Sequence, residues 1–167
     1  IPQGFTPPII EGDGIRMAMA AGAATALMDS QMYLPCLEIP GETHLEGQPF
    51  HRMVMGPTHP GGIFVNRYGK RFCNEPDWTD ILRASLIYDF VPDHSRRDYL
   101  NVPPILIFDQ EYRAKYVTNT LPEVERVGEF PDWVKAGDTI RELALDLDID
   151  AEALEATVER FNRFARE

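Results

Sequence analysis

The sequence predicts an α+β fold in which short strands and a hairpin pack with several helices. Alternating β-branched and aromatic residues flank a glycine-containing turn near the middle of the chain, which is typical of a β-hairpin. An alanine-rich run follows Asp13, and apolar residues recur at helical spacing towards the C-terminus. Helical and strand patterns therefore occupy separate stretches of one chain.

Composition excludes several classes of protein. The 167 residues can bury one sizeable core, and the 44% apolar content is that of a globular protein. A net charge of −11 argues against nucleic-acid binding, because phosphate contacts need clustered Lys and Arg. No apolar run reaches the roughly 20 residues needed to span a bilayer.

The cysteines and histidines predict neither a disulfide framework nor a metal site. Cys36 and Cys73 have no CxxC spacing, and His44, His51 and His59 match no zinc-ligand pattern. We therefore predict reduced thiols, a cytoplasmic location and no metal ion.

The first predicted element is a helix from Asp13 to Ser30. Asp13 is a favourable N-cap residue, and the many alanines around Gly22 would let another backbone approach closely. Residues 31–58 are rich in Pro and Gly, so we predict irregular structure there with one strand at Phe50–Met55.

The hairpin is predicted from strands Ile63–Asn66 and Arg71–Cys73, joined by a turn at residues 67–70. Gly69 would supply the positive φ that such a turn needs, and Tyr68 at its tip should be exposed. The second strand leads to the polar residues Arg71, Asn74 and Glu75. Arg71 and Glu75 could face a ligand or could brace the turn.

The next stretch predicts a helix, a loop, a strand and a second helix in that order. An apolar stripe favours a helix over Thr79–Phe90, and the charged segment Val91–Val102 should be an exposed loop. Ile105–Phe108 reads as a short buried strand, and Asp109 caps a brief helix after it. Residues 118–131 are predicted to form a loop.

Two helices complete the chain. Thr139 and Glu142 have the spacing of a capping box, and Asp150 is placed to cap the last helix. Each helix has one apolar face, formed by Ile140, Leu143, Ala144 and Leu147 and by Leu154, Val158, Phe161 and Ala165.

The segment from Gly61 to Glu75 resembles the G-x-I-x-V-N-x-x-G-x-R-F-x-N-E hairpin of the FAD-dependent fumarate reductase and 3-ketosteroid dehydrogenase superfamily. Three further segments resemble family motifs and occur in the family's order, at residues 11–23, 104–109 and 138–162. The resemblance implies a capping, or substrate, domain at residues 33–167. It also implies that residues 1–32 carry a helix that packs on an FAD-binding domain.

The cofactor implied by the resemblance is FAD, with Gly12, Asp13 and Gly14 close to it. No G-x-G-x-x-G follows a strand, so the dinucleotide-binding motif is absent from this sequence. The chain also begins without Met. We therefore expect a fragment of a longer enzyme, with the missing FAD-binding domain as its partner and a small molecule as substrate.

The resemblance also directs attention to the residues after the Asn-Glu pair. Fumarate reductases have a proton-donating Arg there and ketosteroid dehydrogenases an acid/base Tyr, whereas this chain has Thr79. A threonine hydroxyl is too weak an acid for that role but could orient a carbonyl or a water, so Thr79 is the catalytic candidate. The substrate-binding candidates are Trp78, Glu75 and Arg71.

The same comparison argues against fumarate as substrate. Leu34-Pro35-Cys36 occupies the region where fumarate reductases carry a histidine and a threonine. Trp78, with Tyr33 and Phe50, suits a larger apolar substrate such as a 3-ketosteroid, although Trp78 could equally be a core aromatic.

These expectations combine into one functional hypothesis and one alternative. The chain would be the substrate-covering domain of an FAD-dependent dehydrogenase or reductase that transfers hydride between substrate and flavin, inactive as an isolated fragment. The alternative is a non-catalytic module that binds a ligand or a protein and keeps the cap fold.

Overall fold

Helices and antiparallel strand pairs make up the described part of the chain in the computed structural model. That part comprises residues 11–26, 28, 36–43, 47, 49–53, 59–75, 91–116 and 130–167. It has the α+β content that the sequence predicts. The chain divides into two compact units, Ile1–Val54 and Met55–Glu167. The predicted helix at 79–90 lies outside the described residues.

Helix α1 spans Asp13–Ala20 and is shorter than the predicted helix over 13–30. Gly22 ends it by adopting a φ of 92°. The amide of Gly22 donates to the carbonyl of Met19, and the amide of Ala23 donates to the carbonyl of Ala18. This pair of bonds is a Schellman motif, which satisfies carbonyls that the helix end would otherwise leave open.

Strands β1, Cys36–Thr43, and β2, Pro49–Met53, pair antiparallel in the same unit. Cys36 lies opposite Met53, and the register becomes irregular between Glu38 and Thr43. The sequence predicted a strand at β2 but irregular structure at β1. Pro40 and Gly41 suggested irregular structure at β1. They lie within the irregular part of the pairing, where such residues are tolerated.

In the second unit, strand β3, Ile63–Val65, is present as predicted but has a different strand partner. It pairs antiparallel with the distant Ile105–Ile107, and the predicted partner at 71–73 contributes only one bridge, between Arg71 and Val65. The turn at 67–70 forms as predicted, with Gly69 at a φ of 67°.

The segment 91–102 is largely exposed, as its charge suggested, but it is not simply a loop. Strands β4, Pro92–Asp93, and β5, Asp98–Tyr99, form a short antiparallel pair. Asp93 and Asn101 are buried there. Ile105–Ile107 follows as β6.

Three helices follow, and their predicted caps are confirmed. In α2, Gln110–Tyr116, the Tyr112 amide donates to Asp109 Oδ1 over 2.7 Å. Helix α3, Ile140–Asp146, has the Thr139–Glu142 capping box. In α4, Ala151–Phe164, Asp150 accepts from the Ala153 amide over 3.0 Å.

The core of this unit lies between strands β3 and β6 and helices α3 and α4. Its buried members are Ile63, Val65, Ile107, Ala144, Ile149 and Leu154. The predicted apolar face of α3 packs against this cluster, as do Val158 and Phe161 of α4. Each Å² of apolar surface removed from water stabilises the folded state by about 25 cal/mol. This packing is therefore the main favourable term in the folding free energy of the unit.

Candidate functional site

The turn after β3 is built around the buried side chain of Asn66. Its Oδ1 accepts hydrogen bonds from the amides of Tyr68, over 3.0 Å, and Lys70, over 3.1 Å. Its Nδ2 donates to Asn101 Oδ1 over 2.9 Å, so the amide group also ties the turn to the chain entering β6. This use of donors and acceptors fixes the turn and orients Asn66.

Gly69 brings the turn into contact with the N-terminal part of α4. A Cβ at this position would lie 2.8 Å from the Leu154 nitrogen and 3.0 Å from the Asp150 oxygen. The hydroxyl of Thr157 donates to the Gly69 carbonyl over 2.7 Å. Glycine is therefore required here both for its positive φ and for the close approach of two backbones.

Glu75 lies beyond the turn and is fully buried, with no exposed surface. Its Oε1 accepts from the Phe64 amide in β3 over 2.8 Å. Arg71 Nε lies 3.1 Å from Oε1 and 2.9 Å from Oε2, and Arg71 Nη2 lies 2.5 Å from Oε2. Both carboxylate oxygens are therefore occupied by donors from the protein.

The guanidinium of Arg71 is held from two sides. Its Cζ lies 5.1 Å from the ring centroid of Phe161 in α4, within the range of a cation–π interaction. The hydrogen bond to Glu75 raises the pKa of Arg71, against the opposing effect of burial. Because Glu75 is buried, removing one partner of this pair would cost about 3–5 kcal/mol of folding free energy.

A second polar cluster joins the turn to strand β4. The Tyr68 hydroxyl donates to Asp93 Oδ2, so Tyr68 is half-buried rather than exposed as predicted. Asp93 Oδ1 accepts from the Ser95 hydroxyl over 2.5 Å and from the Ser95 amide over 3.1 Å. Hydrogen bonds from Ser95 and then Tyr68 lower the pKa of Asp93 to about 2.

An aromatic cluster lies beside Gly62 in the same unit. Tyr112 is buried against Gly62, where a Cβ would approach its ring to 3.1 Å. His59 stacks on Tyr116 with ring centroids 4.5 Å apart, which gives this histidine an aromatic partner. Burial raises the pKa of Tyr112 to about 12, so its hydroxyl stays protonated at neutral pH.

The first unit contains Gly12, Asp13 and Gly14, the predicted cofactor-binding residues. Gly12, with a φ of 81°, is the N-cap, and Asp13 is the first helical residue. Asp13 was predicted to be the N-cap. Its carboxylate instead pairs with Arg16, and both side chains are exposed. Ahead of a helix, Gly12 tolerates the left-handed conformation that would strain Asp13.

The structure tests whether these three residues suit FAD. Gly14 has no positive φ, and apart from its chain neighbours and its own helix backbone no atom of the described residues lies within 4 Å of where its Cβ would be. Contacts within the described chain therefore do not explain a glycine at this helical position, which lowers helix propensity by about 1 kcal/mol. Room for close approach, with an exposed carboxylate beside it, suits a hydroxyl-bearing part of the cofactor better than its phosphates.

Only some of the predicted site residues are brought together. Arg71 and Glu75 are in direct contact, while Gly12, Asp13 and Gly14 belong to the other compact unit. Trp78 and Thr79 lie outside the described residues. Asn66, Asp93 and Asn101 were not singled out, although Asn66 stands within the motif on which the resemblance rests.

The described residues also contain one open groove, of about 740 Å³, between α3 and α4. Ile140 and Val158 line it together with charged residues of α4, and none of the predicted site residues that the structure describes borders it. Within the described ranges no three His, Cys, Asp or Glu side chains group as a metal site. No helix in that part of the chain is long and apolar enough to cross a membrane. Cys36 and Cys73 are half-buried and form no disulfide with each other.

Comparison with known proteins gives the family. Residues 4–167 match the family described as "FAD binding domain". The chain belongs to this family. Its relatives place it in the superfamily of FAD-dependent fumarate reductases and ketosteroid dehydrogenases, as the resemblance implied, and FAD is the cofactor of the family.

Two curated relatives and one solved structure are similar over almost the whole chain. The 4-oxocyclohexanecarboxylate 2-dehydrogenase of Sinomonas cyclohexanicum is 39% identical over 96% of the chain and 27% of its own length. The 3-oxosteroid 1-dehydrogenase of Mycobacterium tuberculosis (strain ATCC 25618 / H37Rv) is 35% identical over 93% of the chain and 27% of its own length. The chain thus spans about a quarter of the length of these relatives.

The solved structure is 3-ketosteroid delta1-dehydrogenase from Sterolibacterium denitrificans in complex with 1,4-androstadiene-3,17-dione. It is 30% identical, with a TM-score of 0.66 over 98% of this chain and 28% of that one.

Proposed function

We propose that this chain is the substrate-covering part of an FAD-dependent dehydrogenase that acts on a ring bearing an oxo group. The observation that carries the proposal is the similarity, over nearly the whole chain, to two dehydrogenases whose names describe such rings. The predicted apolar, 3-ketosteroid-like substrate is one member of this class, and 4-oxocyclohexanecarboxylate is a smaller, charged one. A cytoplasmic location belongs to the same proposal.

The first unit would contact the cofactor. Gly12 and Gly14 leave the backbone at the start of α1 open to close approach, and the Asp13 carboxylate can accept a hydrogen bond from a hydroxyl. In this proposal residues 1–32 pack on the domain that holds the rest of FAD. Bound FAD supplies the hydride acceptor of the reaction.

Replacing Gly14 with Ala in the complete gene product tests the contact between the start of α1 and FAD. The substitution should raise the stability of the apoprotein by up to about 1 kcal/mol, because Ala favours helix and meets no atom here. It should weaken FAD binding, because the added methyl occupies the space left for the cofactor. Calorimetry of the apoprotein and flavin titration separate the two effects, and unchanged FAD affinity would contradict the contact.

The second unit would cover the substrate, exclude water and present the residues that follow Glu75. In this proposal Trp78 packs against the ring system, and the Thr79 hydroxyl orients the substrate oxo group by donating a hydrogen bond. Substrate contacts by Arg71 and Glu75 stay a prediction. The complete burial of Glu75 favours a structural role for its carboxylate instead.

Flavin reduction by the complete gene product tests the proposed function. The purified protein is mixed without oxygen with 4-oxocyclohexanecarboxylate or with the 1,2-dihydro form of 1,4-androstadiene-3,17-dione. Loss of the oxidised flavin absorbance is then followed. Cyclohexanecarboxylate, which lacks the oxo group, is the matched control.

We expect bleaching with at least one of the oxo compounds and none with the control, and the faster compound identifies the substrate subclass. A gene product that purifies without flavin and binds none would contradict the proposal. That outcome would favour the non-catalytic binding module.

A further inference from the structure

The Arg71–Glu75 pair connects three parts of the second unit. Glu75 accepts from the Phe64 amide of β3, Arg71 directly follows the turn, and the Arg71 guanidinium lies over Phe161 of α4. The pair therefore fixes the chain at Glu75 to both the strand and the helix. Glu75 directly precedes the segment 76–79, which carries Trp78 and Thr79.

The geometry leaves Glu75 little capacity for a ligand. The carboxylate has no exposed surface, and each oxygen already accepts from at least one protein donor. The Arg71 side chain is 30% exposed, but its Nε and Nη2 donate to Glu75. A substrate would have to break these bonds to reach the carboxylate.

Fold stability alone does not account for such a pair. Desolvation offsets much of the attraction in a buried ion pair, and apolar residues of similar volume often stabilise a fold equally well. The guanidinium–carboxylate pair adds a defined geometry, because its parallel hydrogen bonds fix the relative orientation of the two side chains.

We propose that Arg71 and Glu75 are positioning residues. Their ion pair fixes the chain at Glu75, which directly precedes Trp78 and Thr79 in the sequence, and neither side chain contacts the substrate. This inference rests on the proposed function for its catalytic consequence, but the fixing of the segment can be measured separately. Displacement of a reacting group by about 1 Å can cost roughly 100-fold in rate.

The test uses Glu75→Gln and Arg71→Lys in the complete, FAD-loaded gene product. Gln keeps the size of Glu but loses one acceptor, and Lys keeps the charge but loses the planar fork. Glu155→Gln is the charge control, because Glu155 pairs with Arg141 at 2.6 Å in an exposed setting. Val158→Ala, at the edge of the core, is the stability control.

Two readouts separate positioning from general destabilisation. The first is amide hydrogen exchange in a peptide spanning residues 73–80, which needs no substrate. The second is the rate of flavin reduction per bound FAD, together with the apparent KM. Both oxo compounds are used as substrates, at a temperature well below the midpoint of thermal unfolding.

We expect Glu75→Gln and Arg71→Lys to speed exchange in this peptide. They should also lower the reduction rate roughly 10- to 100-fold with little change in KM. The two controls should change neither quantity. Unchanged exchange, or an equal rate loss in Val158→Ala, would overturn the positioning role. A third outcome is faster exchange in the variants of a gene product whose flavin neither oxo compound reduces. That result would support the structural role of the ion pair, and it would overturn both the catalytic consequence and the proposed function.

Discussion

At the scale of single residues, Gly69 is required for two separable reasons. Its φ of 67° is costly for other residues, and a Cβ would lie 2.8 Å from the Leu154 nitrogen. Gly61 shares the first reason only, because its φ is 102° but its nearest neighbour is a tyrosine ring atom at 3.5 Å. Gly61 is therefore a matched control for Gly69, because it has the positive φ without the close backbone contact.

We predict that Gly69→Ala lowers the free energy of unfolding by about 2–5 kcal/mol, from backbone strain together with overpacking. Gly61→Ala should lower it by only about 1–2 kcal/mol, from strain alone. Urea unfolding of both variants measures the difference. Equal losses would show that the contact with α4 contributes nothing.

A second residue-scale prediction concerns Asp93 and pH. Its pKa is lowered to about 2 in the folded protein, below its usual value of 3.8, so the folded state favours the ionised carboxylate. The stability this provides is fully present above about pH 4. It is lost as the pH falls towards 2, where both folded and unfolded states become protonated.

The stability difference between the wild-type protein and Asp93→Asn should therefore be constant above about pH 4 and shrink towards pH 2. Thermal unfolding of both proteins across this range measures it. Ser95→Ala removes the hydroxyl that makes the largest contribution to the lowered pKa. This variant should move the loss of stability to higher pH, and an unchanged profile would disprove the assigned cause.

At the scale of secondary-structure elements, α4 organises the second unit. It contributes Leu154 to the core, the Thr157 hydroxyl to the turn and the Phe161 ring to Arg71. One helix thus supports both the core and the candidate site.

We predict that Leu154→Ala costs about 3–5 kcal/mol, because the side chain is fully buried and its loss leaves a cavity. Leu145→Ala in the neighbouring helix is the matched control. That leucine is 69% exposed, and the change should stay within about 0.5 kcal/mol. Similar losses in the two variants would contradict the position of the core.

The elements that the sequence predicted well are those set by local chemistry. The two helix caps and the turn glycine each act on the backbone at or near their own position, so the local sequence is sufficient to predict them. They are Thr139 with Glu142, Asp150, and Gly69. The helix over 13–30 was too long because the alanines outweighed Gly22, although a glycine is the usual signal for a helix end.

Pairing between distant segments could not be predicted in the same way. Strand β3 and residues 71–73 are adjacent in sequence, but the strand partner of β3 is β6, more than thirty residues further along the chain. The candidate site was affected similarly. Asp93 lies in a charged segment that suggested exposure, and its burial depends on partners that only the fold supplies.

At the scale of the whole molecule, the family and its FAD cofactor are established. Binding of FAD by this chain alone is a separate property. It spans about a quarter of the length of its relatives and lacks a G-x-G-x-x-G after a strand. In the proposed function, the residues at the start of α1 would therefore supply only part of a flavin site.

We predict that the 167-residue chain, produced by itself, loses FAD during gel filtration, whereas the complete gene product retains it. Circular dichroism of the same fraction is the control, because only a folded chain tests the point. Flavin that co-elutes in equal amounts with the folded chain would contradict this prediction. It would mean that residues within these 167 bind the phosphates of FAD, although the Asp13 carboxylate at the start of α1 opposes the binding of an anion there.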